Sequence, residues 1–357
     1  MGILRLLFAL SVLIFHSGLL FNYNIANPRI AVFSFFIISG FYMALVLDKK
    51  YKTKNSKFLF WSNRALRIFP IYWVTLIVLF VLMLLKFYFH IGTADNAITH
   101  YLTYAPRTSL LGFYFDLLNF VVRNITLIIN IDYIRINNSV PGYLLIPQAW
   151  TLQVELLFYL VVPFLVKLSN KLFIYLTFFY LALFFGFIAP LHLLPPSLTF
   201  TFLDNLIFFL FGIASYKFLY KSKVFNSKFV SSKSLNLFFI SFVLYLLFYN
   251  YLPFKISLTS LNLDDVIYFS AFSFVLPFIF FRTSLSKIDA FFGKLSYPVY
   301  ITHLLLVKLL SNTKLFSGAS SLKTIIVIIS TLFISYLAVR LIDLPIDRYR
   351  QSRLKTR

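Results

Sequence analysis

The chain has 357 residues, 60% of them hydrophobic and 20% aromatic, while only 12% are charged. A soluble domain carries roughly a quarter charged residues, so this composition excludes one and marks an integral, polytopic membrane protein. The net charge of +22 does not describe a nucleic-acid binder, because Lys and Arg collect between apolar runs; without cysteine, disulfides, thiolate chemistry and iron–sulfur clusters are excluded too.

In chain order the hydropathy predicts an all-α protein of about ten transmembrane helices, each near the ~20 residues a bilayer needs. The expected spans are 3–21, 30–48, 69–90, 148–166, 172–190, 199–219, 235–252, 266–282, 294–311 and 324–342. The first has the outline of a signal peptide, but no small-residue cleavage site follows, so it reads as a retained span. The segment 49–68 carries Lys49, Lys50, Lys52, Lys54, Lys57, Arg64 and Arg67 and no acid. Further basic groups lie at Lys167 and Lys171, between Lys217 and Lys233, between Arg282 and Lys294, and from Arg340 to Arg357. Cytoplasmic loops accumulate Lys and Arg, so these alternations place both termini in the cytoplasm. Residues 109–131 are apolar but hold Asp116, Asn119, Arg123 and Asn124. An eleventh span there would invert every later charge bias, so a re-entrant or interfacial helix in the outer loop 91–147 fits better. Residues 1–345 are expected to form one transmembrane domain and 346–357 a basic cytoplasmic tail.

A few polar residues stand out within the spans. Glu155 is the only glutamate in the chain, inside the apolar stretch 149–166. A carboxylate at that depth costs roughly 2.5–3.5 kcal/mol even on insertion scales, so it faces a protein interior or a wet cavity. Arg5 and His16 are eleven residues apart, close to three helical turns, which puts both on one face about 16 Å apart along the axis. A snorkelling Arg and an interfacial His explain that pair equally well. Arg64 and Arg67, at i and i+3, share a face suited to phosphate, although anchoring beside the membrane explains them too. Ser296, Tyr300 and His303 form another single-face set, which suits either chemistry or interhelical hydrogen bonding. His90, His100 and His192 read as solvated or structural, and no metal site is expected.

Taken in order, these residues resemble a known family. Arg5-x10-His16 is followed by Phe35-Phe36-Ile37-Ile38-Ser39-Gly40-Phe41 and by Arg64-x2-Arg67-Ile68-x-Pro70-x-Tyr72. Then come Ala149-Trp150-Thr151-Leu152-x2-Glu155-x2-Phe158-Tyr159 and Leu295-Ser296-Tyr297-x2-Tyr300-x2-His303. Together they are similar to the acyltransferase-3 family of membrane acyltransferases, which O-acetylate bacterial surface polysaccharides. The resemblance implies ten helices, an acyl-CoA donor from the cytoplasm, most simply acetyl-CoA, and no permanently bound cofactor. It implies as acceptor a cell-surface or lipid-linked glycan reached from outside, and as location the bacterial inner membrane. Its arginine–histidine pair carries over to Arg5 and His16, its loop arginines to Arg64 and Arg67, and its tryptophan–glutamate segment to Trp150 and Glu155. One departure is Phe33, which stands where many members have an acid; another is the lack of an appended hydrolase-like domain. The acidic-x-Pro near the end is present as Asp343-Leu344-Pro345.

O-acyl transfer needs a base for the acceptor hydroxyl and stabilisation of the oxyanion, and histidine suits the first role. His16 is the expected base, with Glu155 orienting the imidazole or compensating its charge, and Tyr159 one turn on able to donate to Glu155. Arg64 and Arg67 are expected to hold the donor's phosphates, with Ser39, Trp150, Tyr159, Ser296, Tyr300 and His303 lining the site. The rival reading is a proton-coupled secondary transporter of a glycan or small metabolite, which uses intramembrane His and Glu equally well. Against it, the two halves show no repeat and no pair of Gly/Pro-broken helices.

Overall fold

The computed structural model describes residues 1–18, 20–21, 27–52, 56–88, 110–127, 144–184, 202–221, 263–311 and 320–355, with five positions between 237 and 245. The helices are α1 (Gly2–Ser17), α2 (Pro28–Lys50), α3 (Ser56–Tyr88), α4 (Leu110–Thr126), α5 (Trp150–Leu165) and α6 (Asn170–Phe184). They continue as α7 (Asp204–Ala214), α8 (Leu263–Thr283), α9 (Lys287–Ser311), α10 (Ser320–Ala338) and α11 (Leu344–Lys355). Short π-helical stretches, Ser215–Tyr220 and Val339–Asp343, extend α7 and join α10 to α11.

Among the described residues six segments are long and apolar enough to cross a membrane, and the shorter apolar helices Gly2–Ser17 and Asn205–Tyr220 join them. The protein is an all-α membrane protein, as its composition requires. Rows of large apolar side chains stay exposed on α3 (Ile77, Phe80, Leu84), α6 (Tyr175, Phe178, Phe179) and α10 (Ile329, Phe333), where lipid would cover them. The expected span 235–252 lies outside the described residues apart from those five positions, as do His90, His100 and His192.

Pairs of contacts establish how the helices run. Gly2 meets Asp289 and Gly293, and the His16 ring lies 5.4 Å from His303, so α1 and α9 are parallel and in register over their length. The same reading makes α2, α5, α7 and α8 parallel to one another. Phe36 meets Trp150 while Ser39 meets Glu155. Phe33 meets Phe208 while Tyr216 meets Asp48; Ser34 meets Tyr268 while Tyr42 meets Phe280. Phe8 packs on Phe35 within this frame, and α5 opposes α9 through Gln148–Ile301 and Thr151–Tyr300. α3 opposes α5, since Lys57 sits over Phe164 while Trp61 donates to the Tyr159 carbonyl. These directions match the expected alternation. They also place α4 as something other than an eleventh crossing, because α3 and α5 already oppose each other. α4 leans on the middle of α3, where Tyr72 and Trp73 donate to the Asn124 and Ile125 carbonyls.

Local chemistry fixes several joints. α1 ends at Gly18 with φ 114°, a conformation that glycine alone adopts without strain. α2 begins with Asn27 accepting from the Arg29 N–H and Pro28 in the first turn. The start of α1 is capped from another helix: the Asp289 carboxylate accepts from the Gly2 and Ile3 amides at 2.7 and 3.0 Å and from the Met1 amine at 2.7 Å. A negative group there complements the helix dipole and also locks the α1–α9 register. Gly40 and Gly212 let α2 and α7 touch backbone to backbone; a Cβ on either would lie 2.2 or 2.0 Å from a carbonyl oxygen of the other helix. Around this crossing Phe33, Phe36, Phe158, Phe208 and Phe209 stack at 4.0–4.7 Å.

Two expectations about boundaries change. The expected span 69–90 is the later part of one helix starting at Ser56, so Arg64 and Arg67 lie within a helix and not on a loop. Buried Leu59, Phe60 and Ile68 keep a helical stripe through the basic segment, which carries the helix past Pro70. Most of the expected tail, 346–357, falls within the helix α11, Leu344–Lys355. It is docked on α3, with Arg353 donating to Asn63 at 3.1 Å and to Ser62 at 2.9 Å, and on α9 through a 3.6 Å Lys294–Asp347 ion pair.

Candidate active site

A cavity of about 480 Å³ lies between α1, α2, α3, α5, α8, α9 and α11, within the ordinary range for small-molecule sites. Eight of the residues singled out in the sequence line it: Arg5, Ser39, Arg64, Arg67, Glu155, Tyr159, Ser296 and Tyr300.

Glu155 is the acidic centre of its wall. It is held by Ser39, whose hydroxyl donates at 2.8 Å from α2, and by the Tyr159 hydroxyl on its own helix. The tyrosine contact follows from the i, i+4 spacing; the serine contact requires the glycine-mediated α2–α7 crossing that sets Ser39 in place. Arg5 lies within electrostatic reach of Glu155, Tyr159 and Arg67, and its Nε makes no hydrogen bond.

The expected meeting of Glu155 with His16 is not found. Thr151 pairs with Tyr300, so Glu155, one turn further, lies opposite positions 296–297 of α9. In the α1–α9 register that level matches residues 9–10 of α1, roughly two turns or 10 Å short of His16. Depth estimated from span limits could not resolve two turns, because it depends on where each helix begins. His16 instead stacks on His303, with ring centroids 5.4 Å apart and planes inclined by 26°. His16 is exposed and His303 fully buried. The Nδ1–H of His303 donates to the Tyr300 carbonyl at 2.7 Å, leaving Nε2 as a lone pair with no hydrogen-bond partner among the described residues.

Neither histidine lines the cavity, and neither does Trp150, which packs edge-on against Phe36. Tyr300 joins the two places. Its hydroxyl bonds Thr151 at 3.1 Å on the cavity wall, while its backbone carbonyl holds His303. Phe33 stacks on Phe208 at 4.2 Å and lies near Phe269, with the Arg29 guanidinium 5.4 Å over its ring.

The other end of the cavity is cationic. Arg5, Arg64, Arg67, Lys294 and Arg350 line it against Glu155, Asp289 and Asp347. Asp289 is taken up by the start of α1, and Glu155 by Ser39 and Tyr159. Among the described residues Arg64 and Arg67 pair with no carboxylate; Arg64 is 8% exposed, lies over the Phe60 ring, and its Nε is without a hydrogen-bond partner. Sequence reasoning missed Tyr42, Thr151, Lys294, Tyr297, Asp347 and Arg350. Tyr297, which donates to the Ile68 carbonyl at 2.6 Å, stood inside a recognised motif. Arg350 stood in a segment read as tail, and only its i, i+3 spacing from Asp347 hinted at a docked helix. No group of three or more metal-ligating side chains exists among the described residues.

A cavity lined by charged side chains inside a helical membrane body is the mark of a membrane-embedded enzyme or carrier. The family model Acyl_transf_3, described as an acyltransferase domain, matches residues 1–340. The chain belongs to this family and is a membrane acyltransferase. No curated protein and no solved structure matches it.

Proposed function

We propose that the protein transfers an acetyl or other short acyl group from cytoplasmic acyl-CoA to a hydroxyl of a cell-surface or lipid-linked glycan. The observation that carries this reading is the polarity of the cavity: unpaired guanidiniums at one end, and at the other Tyr300 with a histidine pair behind it. Arg64 and Arg67 hold the donor phosphates at the cytoplasmic mouth, and the donor's long arm runs past Glu155, Ser39 and Tyr159 toward Tyr300. Positive-inside bias supports a cytoplasmic mouth and cytoplasmic termini, and the family resemblance supports a bacterial inner membrane.

His16, exposed at the far end, meets the acceptor. Its ring nitrogen takes the proton of the acceptor hydroxyl as the oxygen attacks the thioester carbonyl; the new C–O bond forms, the C–S bond breaks, and the thiolate leaves. The proton then passes from His16 to the departing sulfur or to water. Donor and His16 come together by movement at Tyr300, the residue shared by both regions. Ser296 and Tyr300 line the path, His303 supports His16 by stacking, and Trp150 packs the wall behind. Glu155 acts on Ser39, Tyr159 and the Arg5 charge, not on the imidazole.

The test is transfer of labelled acetyl from acetyl-CoA to a surface-glycan fraction, using membranes that carry wild type or His16→Ala. Label in the glycan with wild type alone supports both the reaction and the base. Transfer that survives the substitution removes His16 as the base.

A further inference from the structure

α11 lies beyond the residues matched by the family model, yet it forms part of the cavity. It is fastened at two places, to α3 by Arg353 and to α9 by Asp347. Between those fastenings Arg350 is only 6% exposed and lines the cavity. Its Nη1 lies 3.4 Å from Asp347 Oδ1, a carboxylate shared with Lys294, and its Nε has no hydrogen-bond partner among the described residues. Arg64 and Arg67 are near enough for their charges to act on it.

Three guanidiniums line one space, with Asp347 shared between Arg350 and Lys294 and Asp343 also within electrostatic reach of Arg350; the excess of positive charge favours an anion in the gap. A planar guanidinium with free N–H groups matches phosphate oxygens in a bidentate manner that a lone lysine does not. The two faces of the mouth differ in origin, since Arg64 and Arg67 come from α3 and Arg350 from the end of the chain. A phosphate among them would be held by side chains from two separate helices.

We infer that Arg350 is a third phosphate-binding residue of the donor site, and that docking of α11 completes a clamp for the phosphorylated, nucleotide end of an acyl thioester. The phosphate clamp rests on the structure; identification of its occupant as acyl-CoA rests on the proposed function. The clamp recognises the nucleotide end of the donor and leaves the acyl end to the deeper cavity. An acyl-pantetheine that lacks the phosphates therefore gains nothing from Arg350.

The experiment measures binding of coenzyme A and of inorganic pyrophosphate to the purified full-length protein, wild type, Arg350→Gln and Arg350→Lys. Transfer kinetics with acetyl-CoA and with acetyl-pantetheine accompany it. Arg350→Gln is expected to weaken coenzyme A binding and raise KM for acetyl-CoA about 10- to 100-fold, the worth of a charge-assisted hydrogen bond pair, with kcat little changed. Kinetics with acetyl-pantetheine should not move, and Arg350→Lys should recover part of the loss. Arg353→Gln, which keeps Arg350 but loosens α11 from α3, should weaken coenzyme A binding in the same direction. Pyrophosphate binding that depends on Arg350, with no coenzyme A binding to wild type, would keep the phosphate clamp and overturn the donor. Wild-type affinity for both probes in Arg350→Gln, or an equal loss for acetyl-CoA and acetyl-pantetheine, would overturn the clamp itself.

Discussion

The two ends of the site are built on opposite principles. The arginine end takes residues from α1, α3, α9 and α11, and leaves Arg64 and Arg350 each with a buried, unpartnered Nε. The histidine end is a stacked pair in which one ring is open and the other is pinned by its own helix. Positive charge in excess of its carboxylate partners suits a ligand that brings its own counter-charge, and an open imidazole suits a proton that comes and goes. The contrast teaches that donor recognition and proton handling reside on different helix contacts, with Tyr300 the residue common to both.

Substitutions should separate these ends. His16→Ala, the largest effect, should lower transfer about 10²–10⁴-fold, the usual share of general-base catalysis, with coenzyme A affinity unchanged in a binding assay. A fall in affinity instead would merge the two ends. Arg67→Gln should do the reverse, raising KM for acyl-CoA about 10- to 100-fold at nearly constant kcat, since it removes a charge-assisted contact to the donor and nothing at the acceptor. Glu155→Gln keeps the shape but withdraws the charge facing Arg5; kcat should fall about 10-fold, comparable to loss of one charged hydrogen bond. Tyr300→Phe removes the 3.1 Å bond to Thr151 and the longer 3.5 Å one to the Gln148 carbonyl, and leaves the carbonyl that holds His303, so thermal unfolding should report about 1 kcal/mol lost. If it matched the His16 substitution in activity, the Tyr300 hydroxyl would belong to the chemistry rather than to the wall.

What could be read from residues alone followed from repeat distances within one helix. The all-α membrane class, the exclusion of residues 109–131 as a crossing, the Glu155–Tyr159 contact and the shared face of Arg64 and Arg67 all rest on local periodicity or on charge bias between spans. The family resemblance, confined to short motifs, pointed to eight of the residues that line the cavity, because those motifs lie on inward faces.

What only the tertiary structure decided depended on register between helices. That Glu155 meets Ser39 and not His16, that His16 meets His303, and that Arg350 joins Arg64 are relations between distant segments. They are set by where two helix surfaces approach most closely: at Gly2 and Gly293 for α1 and α9, at Gly40 and Gly212 for α2 and α7. Helical periodicity says which face a side chain occupies, whereas a slide of one or two turns along the axis leaves that periodicity intact and changes every partner.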